Sequence, residues 1–345
     1  MNFREAVKKQ VLVLDGAMGT MVQSLELTDA AVPEPGTQEV LVRIRVAGIN
    51  RADILQRIGA YPAPKGAPAD IPGLEFAGEI AKIGSDVEEW APGDRVMGIL
   101  GGGGYAELAV VPAGQLLPVP SGLSWIEAGA IPEVFLTAAD ALFSCGRMEP
   151  GDRVLVHTAG GGVGTAALQL ARVAGAKSVI GTASAGKLEQ IRKIGLPLDL
   201  GIDRGSDSFS DEVNGYTDGA GVNVILDTVG GSYWEDNLTS LSTLGRLVVV
   251  GLLGGSNVKA NLRKLMAKRA TIVGTVLRAR STVEKARVTE DFQKRFLSAF
   301  VKGGQNQPPA LIPIIDRTYP LAEASEAHRR MESNNSFGKV LLEID

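Results

Sequence analysis

The pattern of hydrophobic and polar positions changes once along the chain, near residue 127. Before that point, apolar residues alternate with polar ones in short runs, the clearest of which is residues 38–50. A period of two predicts half-buried strands, and the Gly and Pro turns between the runs are typical of a β-barrel. The strands predicted in this region are 11–15, 38–50, 76–83, 95–99 and 105–110.

Beyond residue 127, apolar strands alternate with amphipathic helices, which predicts a doubly wound parallel sheet. The strands are predicted near 154–157, 178–182, 222–227, 246–251 and 271–276, and the helices near 164–173, 187–194 and 233–241. Helices over 284–300 and 321–333 and a strand over 339–344 follow. The fold class is therefore α/β, with a barrel-like domain of residues 1–126 and 287–345 and a doubly wound domain of residues 127–286.

Composition excludes several classes of function. The 345 residues include 35 basic and 39 acidic side chains, so charge alone predicts no nucleic-acid binding. One cysteine, Cys145, and two histidines, His157 and His328, are too few for a typical zinc site, so no metal is expected. The long uncharged runs are broken by Gly or Pro, which argues against a membrane span. We expect a cytoplasmic protein.

The most informative motif is a run of glycines at 160–164 between a predicted strand and a predicted helix. Glycines allow the backbone to approach a pyrophosphate, and the start of the helix offers free N–H groups to it. An Asp or Glu about 20 residues later usually holds the ribose of NAD, but no acid occurs between Ala176 and Leu188. Ser184 and Lys187 stand there instead and suit a 2′-phosphate, with Arg204 as a second cation. The cofactor predicted is NADPH, although Lys187 taken alone also fits a solvated lysine at a helix start.

The chain resembles the medium-chain dehydrogenase/reductase superfamily over roughly residues 25–345, and within it the zinc-free quinone oxidoreductases of the p53-inducible type. The resemblance rests on stretches such as AGINRADILQRIGAYPAP, IPGLEFAGEI, VLVHTAGGGVGTAALQLA, VNVILDTVGGSYW and EAHRRMESNNSFGKVLLEI. Zinc-dependent relatives carry a Cys where this chain has Asn50 and a His where it has Leu74. The resemblance implies a GroES-like barrel domain, a Rossmann domain and a homodimer.

The resemblance also implies residue roles. The cofactor-binding residues would be Gly160, Gly161, Gly162, Val163, Gly181, Ser184, Lys187, Arg204, Thr137, Val229, Val250, Gly251, Leu252, Leu253, Gly274, Thr275, Val276, Leu277 and Lys339. Tyr61 is the best candidate for a hydrogen bond to a quinone oxygen, with Asn50 assisting. Two plainer interpretations stay open: Tyr61 gates the cleft or stacks on nicotinamide, and Asn50 caps the following turn.

Three functions compete. The first is an NADPH-dependent quinone reductase acting without zinc, because a quinone accepts a hydride readily and needs no Lewis acid. The second is an NADPH-dependent 2-enal or enoyl reductase, in which Tyr61 would donate a proton to an enone substrate. The third is a non-catalytic cofactor- or RNA-binding protein. Residues 4–23 resemble the opening of cobalamin-dependent methionine synthase, whose zinc chemistry needs three cysteines that this chain lacks.

Overall fold

The computed structural model describes residues 9–15, 24–301 and 310–344, which form two compact units. The first unit contains the described residues up to Leu136 and from Leu277 onward, and the second is Thr137–Val276. Residues 127–136 and 277–286, which the sequence assigned to the doubly wound domain, belong to the first unit. None of the helices in the described ranges is long and apolar enough to cross a membrane.

The strands and helices have the following bounds. The strands are β1 (Lys9–Asp15), β2 (Ser24–Ala30), β3 (Glu39–Ile49), β4 (Glu75–Ile83), β5 (Arg95–Ile99), β6 (Leu108–Pro112), β7 (Leu116–Pro118), β8 (Arg153–Val156), β9 (Ser178–Ala183), β10 (Leu200–Asp203), β11 (Val222–Asp227), β12 (Leu241–Val249), β13 (Thr271–Gly274), β14 (Ile315–Pro320) and β15 (Lys339–Glu343). The helices are α1 (Arg51–Arg57), α2 (Trp125–Gly129), α3 (Pro132–Ala139), α4 (Gly162–Val173), α5 (Ala185–Lys193), α6 (Phe209–Tyr216), α7 (Trp234–Ser240), α8 (Leu262–Lys268), α9 (Thr282–Phe296) and α10 (Ala324–Glu332).

The first unit is built on a seven-stranded sheet in the order β14-β15-β3-β4-β5-β7, with β6 also paired to β3. All of its strand pairs are antiparallel except β14 with β15. The alternating apolar residues of β3 pack with Phe76, Tyr105 and the buried face of α10 in one core. The barrel-like antiparallel region predicted from the alternation is therefore confirmed.

The predicted N-terminal strand lies outside this sheet. Residues 9–15 do form a strand, but β1 pairs only with β2, in a separate antiparallel sheet of two strands. The expectation that 11–15 is the first strand of the barrel was therefore wrong. An alternating pattern predicts a strand but does not identify the strand that it pairs with.

The second unit is a six-stranded parallel sheet in the order β10-β9-β8-β11-β12-β13. Counted along this unit, the order is 3-2-1-4-5-6, which is the doubly wound order of dinucleotide-binding domains. All six residues of β9 are buried, as expected for a strand that has neighbours on both sides and helices over both faces. The Rossmann sheet predicted from the sequence is confirmed.

The ends of several elements differ from the predicted ones for local reasons. Helix α9 begins at Thr282 because Ser281 and Glu284 form a capping box, and it passes into a 3₁₀ turn at Leu297–Phe300. The chain leaves α7 after Ser240, and Leu241 already begins β12. Periodicity alone does not show where α9 passes into the 3₁₀ turn or where α7 gives way to β12, because apolar residues before and after both points are buried.

Candidate functional site

The predicted cofactor-binding residues of the second unit gather at the carboxyl ends of its parallel strands. The glycine loop follows β8, Ser184 and Lys187 follow β9, and Arg204 follows β10. Val229 follows β11, residues 250–253 follow β12, and residues 274–276 end or follow β13. In open α/β sheets, ligands bind at this edge. The structure therefore brings these residues to one edge of one sheet, although it contains no cofactor.

The glycine loop is held close to both the strand below it and α5. A side chain at Gly164 would collide with the Thr158 carbonyl and lie 2.7 Å from the Cα of Ala159, so only glycine lets α4 begin this close to the loop. A Cβ at Gly160 would lie 2.8 Å from the Cβ of Lys187. The stem of Lys187 therefore packs directly against the backbone of the glycine loop. Thr158, at the start of the loop, has a positive φ of 51°.

The turn after β9 offers hydroxyl and ammonium groups without a carboxylate. Ser184 is the N-cap of α5, and its side chain caps no helical N–H. Lys187 lies in the first turn, where its backbone N–H donates to the Ser184 carbonyl at 2.9 Å. The Arg204 backbone N–H donates to the Ala183 carbonyl at 2.8 Å, which ties the ends of β9 and β10 together. These groups, together with the glycine loop, fit the phosphates of a nicotinamide dinucleotide.

A buried hydrogen-bonded network ties together the ends of three strands beneath this edge. His157 is fully buried, and its Nε2 lies 2.7 Å from the Asn237 side-chain oxygen and its Nδ1 lies 2.9 Å from the Thr182 hydroxyl. The Asn237 amide donates to Asp227 at 3.0 Å, and Asp227 also accepts from the N–H groups of Val229 and Gly230. Burial lowers the pKa of His157. The ring is therefore neutral at pH 7 and donates through Nε2, since Asn237 presents its oxygen.

The other residues predicted to line the nicotinamide half of the cofactor differ in their exposure and in their hydrogen bonds. Leu252, Leu253 and Val276 are more than half exposed, as a binding surface requires. The Thr275 hydroxyl instead donates to Asp140 at 2.9 Å, beside a π-helical stretch at Asp140–Cys145. Thr137 lies in α3, away from the strand ends. Leu277 belongs to the first unit and is buried, as is Lys339.

In the first unit, a buried ammonium is surrounded by oxygen atoms. Lys339 is 3% exposed, and its Nζ lies 2.5 Å from Glu75 Oε1, 2.9 Å from Asn50 Oδ1 and 2.8 Å from the Ile49 carbonyl. The Asn50 amide nitrogen in turn donates to Glu75 Oε1 at 3.0 Å. Both ends of the Asn50 side chain are therefore held by the protein. The cofactor-binding role of Lys339 and the assisting role of Asn50 stay predictions.

The N-cap position of Asn50 agrees with the plainer interpretation of that residue. Asp53 accepts from the Asn50 backbone N–H at 2.8 Å, from the Gly73 N–H at 3.1 Å and from the Tyr105 hydroxyl at 3.1 Å. The same hydroxyl lies 3.1 Å from His328 Nε2. Burial raises the pKa of Asp53 to about 6 against the effect of these hydrogen bonds, and burial lowers the pKa of His328 to about 3. The cluster joins α1, α10 and the loop before β6.

A second carboxyl group, Glu133, lies beside this cluster and is partly exposed. Its backbone N–H donates to Glu75 Oε2 at 2.8 Å, so both oxygens of Glu75 are engaged. Burial, reinforced by the negative charge of Glu75, raises the pKa of Glu133 to about 8. The raised pKa favours the protonated form of this carboxyl.

Tyr61 lies within electrostatic reach of Glu133. Burial raises the pKa of its phenol, Glu133 raises it further, and Arg278 opposes both. The Arg278 guanidinium lies 5.2 Å from the centroid of the Tyr61 ring and donates to the Gly101 and Tyr61 carbonyls and to Gln56. Arg278 thus contacts Tyr61 directly, and the partly exposed phenol can offer a hydrogen bond to a carbonyl compound.

The first unit does not fit a zinc ion. A zinc ligand set needs thiolate, imidazole or carboxylate donors, and Asn50 and Leu74 stand where zinc-dependent relatives have Cys and His. The nearby oxygen atoms of Glu75 and Asn50 are already occupied by the Lys339 ammonium. Within the described ranges, no group of three or more His, Cys, Asp or Glu side chains could hold a metal ion.

Comparison with known proteins agrees with both units. Residues 36–121 match the alcohol dehydrogenase GroES-like domain, and residues 162–291 match the zinc-binding dehydrogenase family. The chain is 34% identical over 309 residues to the quinone oxidoreductase-like protein 2 homolog of Nematostella vectensis, covering 89% of this chain and 82% of the relative. The chain belongs to the medium-chain dehydrogenase/reductase superfamily. It is therefore an oxidoreductase of a superfamily that uses nicotinamide cofactors.

Two further relatives represent different chemistries within the superfamily. The quinone oxidoreductase of Rattus norvegicus is 31% identical over 319 residues, which cover 91% of this chain and 92% of the relative. The crystal structure of the CurK enoyl reductase superposes with a TM-score of 0.80 at 27% identity and covers 98% of this chain and 99% of that one. The resemblance of residues 4–23 to methionine synthase finds no support in these comparisons, and most of that segment lies outside the described residues.

Glu133 and Arg278 were not predicted from the sequence as neighbours of Tyr61. The signal for Glu133 was present, because it is the only charged residue between Glu127 and Asp140 in an apolar stretch. Nothing in the sequence placed it beside Glu75, because that proximity depends on how α3 meets β4.

Proposed function

We propose that this protein is an NADPH-dependent reductase of quinones that works without zinc. The observation that carries the proposal is the packing of Lys187 against the Gly160 backbone. The turn after β9 that contains Lys187 also contains Ser184 and has no carboxylate. A carboxylate there would repel a 2′-phosphate, whereas an ammonium and a hydroxyl attract it. The glycine loop, Ser184, Lys187 and Arg204 would hold the cofactor, which supplies the hydride.

The first unit supplies groups that can act on the acceptor. Tyr61 is partly exposed and can donate a hydrogen bond to a quinone oxygen, while Arg278 holds the backbone of Tyr61 through its carbonyl. The ammonium of Lys339 pairs with Glu75 and holds the side-chain oxygen of Asn50, which supports a reaction that works without zinc. A quinone needs no Lewis acid to accept a hydride, which agrees with this arrangement.

A 2-enal or enoyl reductase is the second candidate. Its support is the carboxyl of Glu133, which has a raised pKa and acts electrostatically on Tyr61. Reduction of a carbon–carbon double bond depends on a proton donor more strictly than reduction of a quinone does. Steady-state rates with NADPH and either 1,4-benzoquinone or trans-2-alkenals separate the two candidates. A faster enal reaction would favour the second, and turnover of neither class above a heat-inactivated control would contradict both.

The cofactor assignment predicts a specific loss in Lys187→Ala. Removing the ammonium should weaken NADPH binding by about 1.5–3 kcal/mol, or about 10- to 150-fold, because one charge-assisted contact to phosphate is lost. NADH binding should change little. Fluorescence titration of the two reduced cofactors measures both effects.

The matched control for this experiment is Lys193→Ala, an exposed lysine in the last turn of the same helix. It should bind NADPH as the unaltered protein does. Equal affinity of the unaltered protein for NADPH and NADH would remove the basis of the assignment.

A further inference from the structure

We infer that Arg278 and Lys285 form an anion-binding subsite that receives a carboxylate group of the acceptor. The preferred acceptors are then quinones or α,β-unsaturated aldehydes that carry a carboxylate. This inference rests on the proposed reductase function and deepens it by naming a substrate class. Both residues, and the groups that position them, lie in the first unit.

Arg278 is a buried cation whose hydrogen bonds all go to neutral groups. It is 4% exposed, and its Nε donates to the Gly101 carbonyl at 2.8 Å. Its terminal nitrogens donate to the Tyr61 carbonyl at 3.3 Å and to the Gln56 side-chain oxygen. A guanidinium has five N–H groups, so one N–H on each terminal nitrogen remains available. No carboxylate within the described ranges forms an ion pair with Arg278.

Lys285 is a second buried cation. It is 7% exposed and lies near the start of α9, where its backbone N–H donates to the Ser281 carbonyl at 3.0 Å. Its ammonium makes no hydrogen bond or ion pair with any residue that the structure describes. It is not one of the enclosed polar atoms that lack a hydrogen bond, so solvent reaches the nitrogen itself. A ligand can therefore reach the ammonium while the stem of the side chain stays buried.

The two cations meet at Gly101, which is partly exposed. A Cβ at Gly101 would lie 3.9 Å from the Lys285 Nζ, and Arg278 binds the carbonyl of the same residue. Burial lowers the pKa of Lys285, Glu133 opposes this effect and Arg278 adds to it. The two positive charges therefore repel each other beside an accessible glycine, and an anion placed there relieves the repulsion.

The carboxyl groups nearest to the two cations do not neutralise them by contact. Glu133 and Asp53 act on Arg278 electrostatically, and Glu133 acts on Lys285. Neither acid forms an ion pair with either cation, and the Asp53 oxygens already accept hydrogen bonds from three other donors. A buried charge without a partner lowers stability, so a ligand that supplies the opposite charge gains affinity.

A carboxylate fits the donors that remain. Two N–H groups of Arg278 and three of Lys285 are available, and a planar guanidinium matches the two oxygens of a carboxylate. The surroundings are otherwise apolar, because the Ala67 Cβ and the Pro64 Cγ lie 3.0 Å and 3.2 Å from the position of a Cβ on Gly101. A phosphate carries more charge and more oxygen atoms, whose hydration these apolar surroundings would not replace.

Tyr61 links this subsite to the acceptor. The centroid of its ring lies 5.2 Å from the Arg278 guanidinium, and its carbonyl accepts a hydrogen bond from the same group. Tyr61 is partly exposed and is the residue proposed to donate a hydrogen bond to the acceptor. A carboxylate bound by Arg278 and Lys285 and a carbonyl oxygen bound by Tyr61 can therefore belong to one small molecule.

The first test measures anion binding without any cofactor. Benzoate, titrated calorimetrically into the unaltered protein at constant ionic strength, should bind and raise the midpoint of thermal unfolding, whereas the neutral analogue benzamide should do neither. Lys285→Met should weaken benzoate binding about 10- to 150-fold, because one charge-assisted contact is lost. A benzoate titration indistinguishable from that of benzamide would overturn the proposal. Tighter binding of inorganic phosphate than of benzoate would overturn the choice of a carboxylate.

The stability of the ligand-free protein separates a binding role of Lys285 from a structural one. Lys285→Met should raise the midpoint of thermal unfolding, because methionine keeps the buried stem and removes an unpaired charge beside Arg278. The matched control is Lys294→Met, an exposed lysine of the same helix, which should bind benzoate as the unaltered protein does. A lower midpoint for Lys285→Met, together with unchanged benzoate binding, would make Lys285 a structural residue only.

The second test compares turnover of an acid with that of its ester, using trans-4-oxo-2-butenoate, its methyl ester and NADPH. The unaltered protein should prefer the acid, and the ratio of kcat/KM for acid over ester should fall about 10- to 150-fold in Lys285→Met. The change should appear mainly in the KM of the acid, because the carboxylate takes no part in the chemical step. Lys285→Arg should restore part of the ratio. The same comparison applies to 1,4-benzoquinone-2-carboxylate and its methyl ester.

The remaining outcomes are distinguishable. If the unaltered protein reduces none of these compounds, the reductase function fails, and the benzoate titration still decides whether the subsite exists. If it reduces acid and ester equally well, the subsite is refuted and the reductase function stands. If Lys285→Met does not fold, as judged by circular dichroism, competition in the unaltered protein replaces it: benzoate should raise the KM of the acid and benzamide should not. Equal effects of the two would refute the subsite.

Discussion

The pair formed by Lys339 and Glu75 is the strongest electrostatic feature at the scale of single residues. Both side chains are closed to solvent, at 3% and 0% exposed. Removing two charges from water is costly, so such a pair persists only with good geometry and further hydrogen bonds. Asn50, the Ile49 carbonyl and the Glu133 N–H provide those bonds.

Lys339→Met should therefore destabilise the protein strongly. The substitution leaves the Glu75 carboxylate buried without a counter-charge, which costs about 3–5 kcal/mol of unfolding free energy. Adding Glu75→Gln should recover part of the loss, since it removes the charge and keeps an amide in place. Urea unfolding of the single and double variants measures both effects.

The control is an ion pair of the same charge type on the surface. Lys294 and Glu290 form an exposed i,i+4 pair on α9. Breaking it with Lys294→Met should lower the free energy of unfolding far less than Lys339→Met does, because water already solvates both groups. Similar losses for Lys339→Met and Lys294→Met would show that the buried pair is unimportant.

At this scale the sequence predicted residue types better than it predicted partners. Asn50, Tyr61 and Lys339 could be singled out because each lies in a recognisable stretch. Glu75, Glu133 and Lys339 are far apart in sequence, and their proximity depends on β4, α3 and β15 meeting in the first unit. Pairings over such separations leave no local pattern, so the contacts of Asn50 and Lys339 with Glu75 could not be predicted from the sequence.

At the scale of elements, the glycine loop shows how one residue sets the distance between a strand and a helix. Gly164 lies so close to the Thr158 carbonyl and to Ala159 that the first turn of α4 has no room for a methyl group. The helix start can only offer its N–H groups to a phosphate if it stays at that distance.

Gly164→Ala should therefore cost stability and weaken cofactor binding together. We expect a loss of about 1–3 kcal/mol from overpacking against backbone and at least a tenfold weaker NADPH affinity. The matched control is Gly215→Ala in α6, where an added Cβ meets nothing within 4 Å. It should stabilise the protein by about 0.5–1 kcal/mol, because alanine favours a helix. Thermal unfolding and fluorescence titration check both variants, and a stable, tightly binding Gly164→Ala would contradict the argument.

The elements themselves were the most predictable part of the fold. The alternation in β3 and the βαβ unit around the glycine loop carry strong periodic signals, and both appear as predicted. The short helices α1, α2, α3, α6 and α8 were missed, because a helix of five to eight residues gives only a weak helical period, although α7 of similar length was predicted. The pairing of β1 was wrong because strand partners are chosen by tertiary contacts.

At the scale of the whole molecule, β13 is an open edge of the parallel sheet. It is the last strand in the order and pairs only with β12 among the described strands. The N–H of Thr275, just beyond β13, donates to the Val249 carbonyl of β12. Successive N–H groups of a strand point to opposite sides, so the N–H of Ile272, three residues earlier, points to the open side. An unpaired edge is a template for another strand.

We therefore expect two copies of the chain to associate through β13. Light scattering should give twice the 36.1 kDa mass of one chain. Ile272→Pro removes the exposed N–H and should yield monomers, whereas Ile272→Val keeps the N–H and should leave the mass unchanged. A monomeric unaltered protein, or a dimeric Ile272→Pro variant, would exclude association through this edge.

The way the first unit is assembled also bears on how the chain folds during synthesis. Strand β15 lies between β14 and β3, and among the described strands it alone covers this edge of β3 over Val46–Ile49, although it is translated long after β3. The second unit is continuous and can fold while the rest is still being translated. Ending translation before residue 339 would therefore remove an interior strand and leave Glu75 without its counter-ion, which makes this short segment as critical to the protein as the glycine loop.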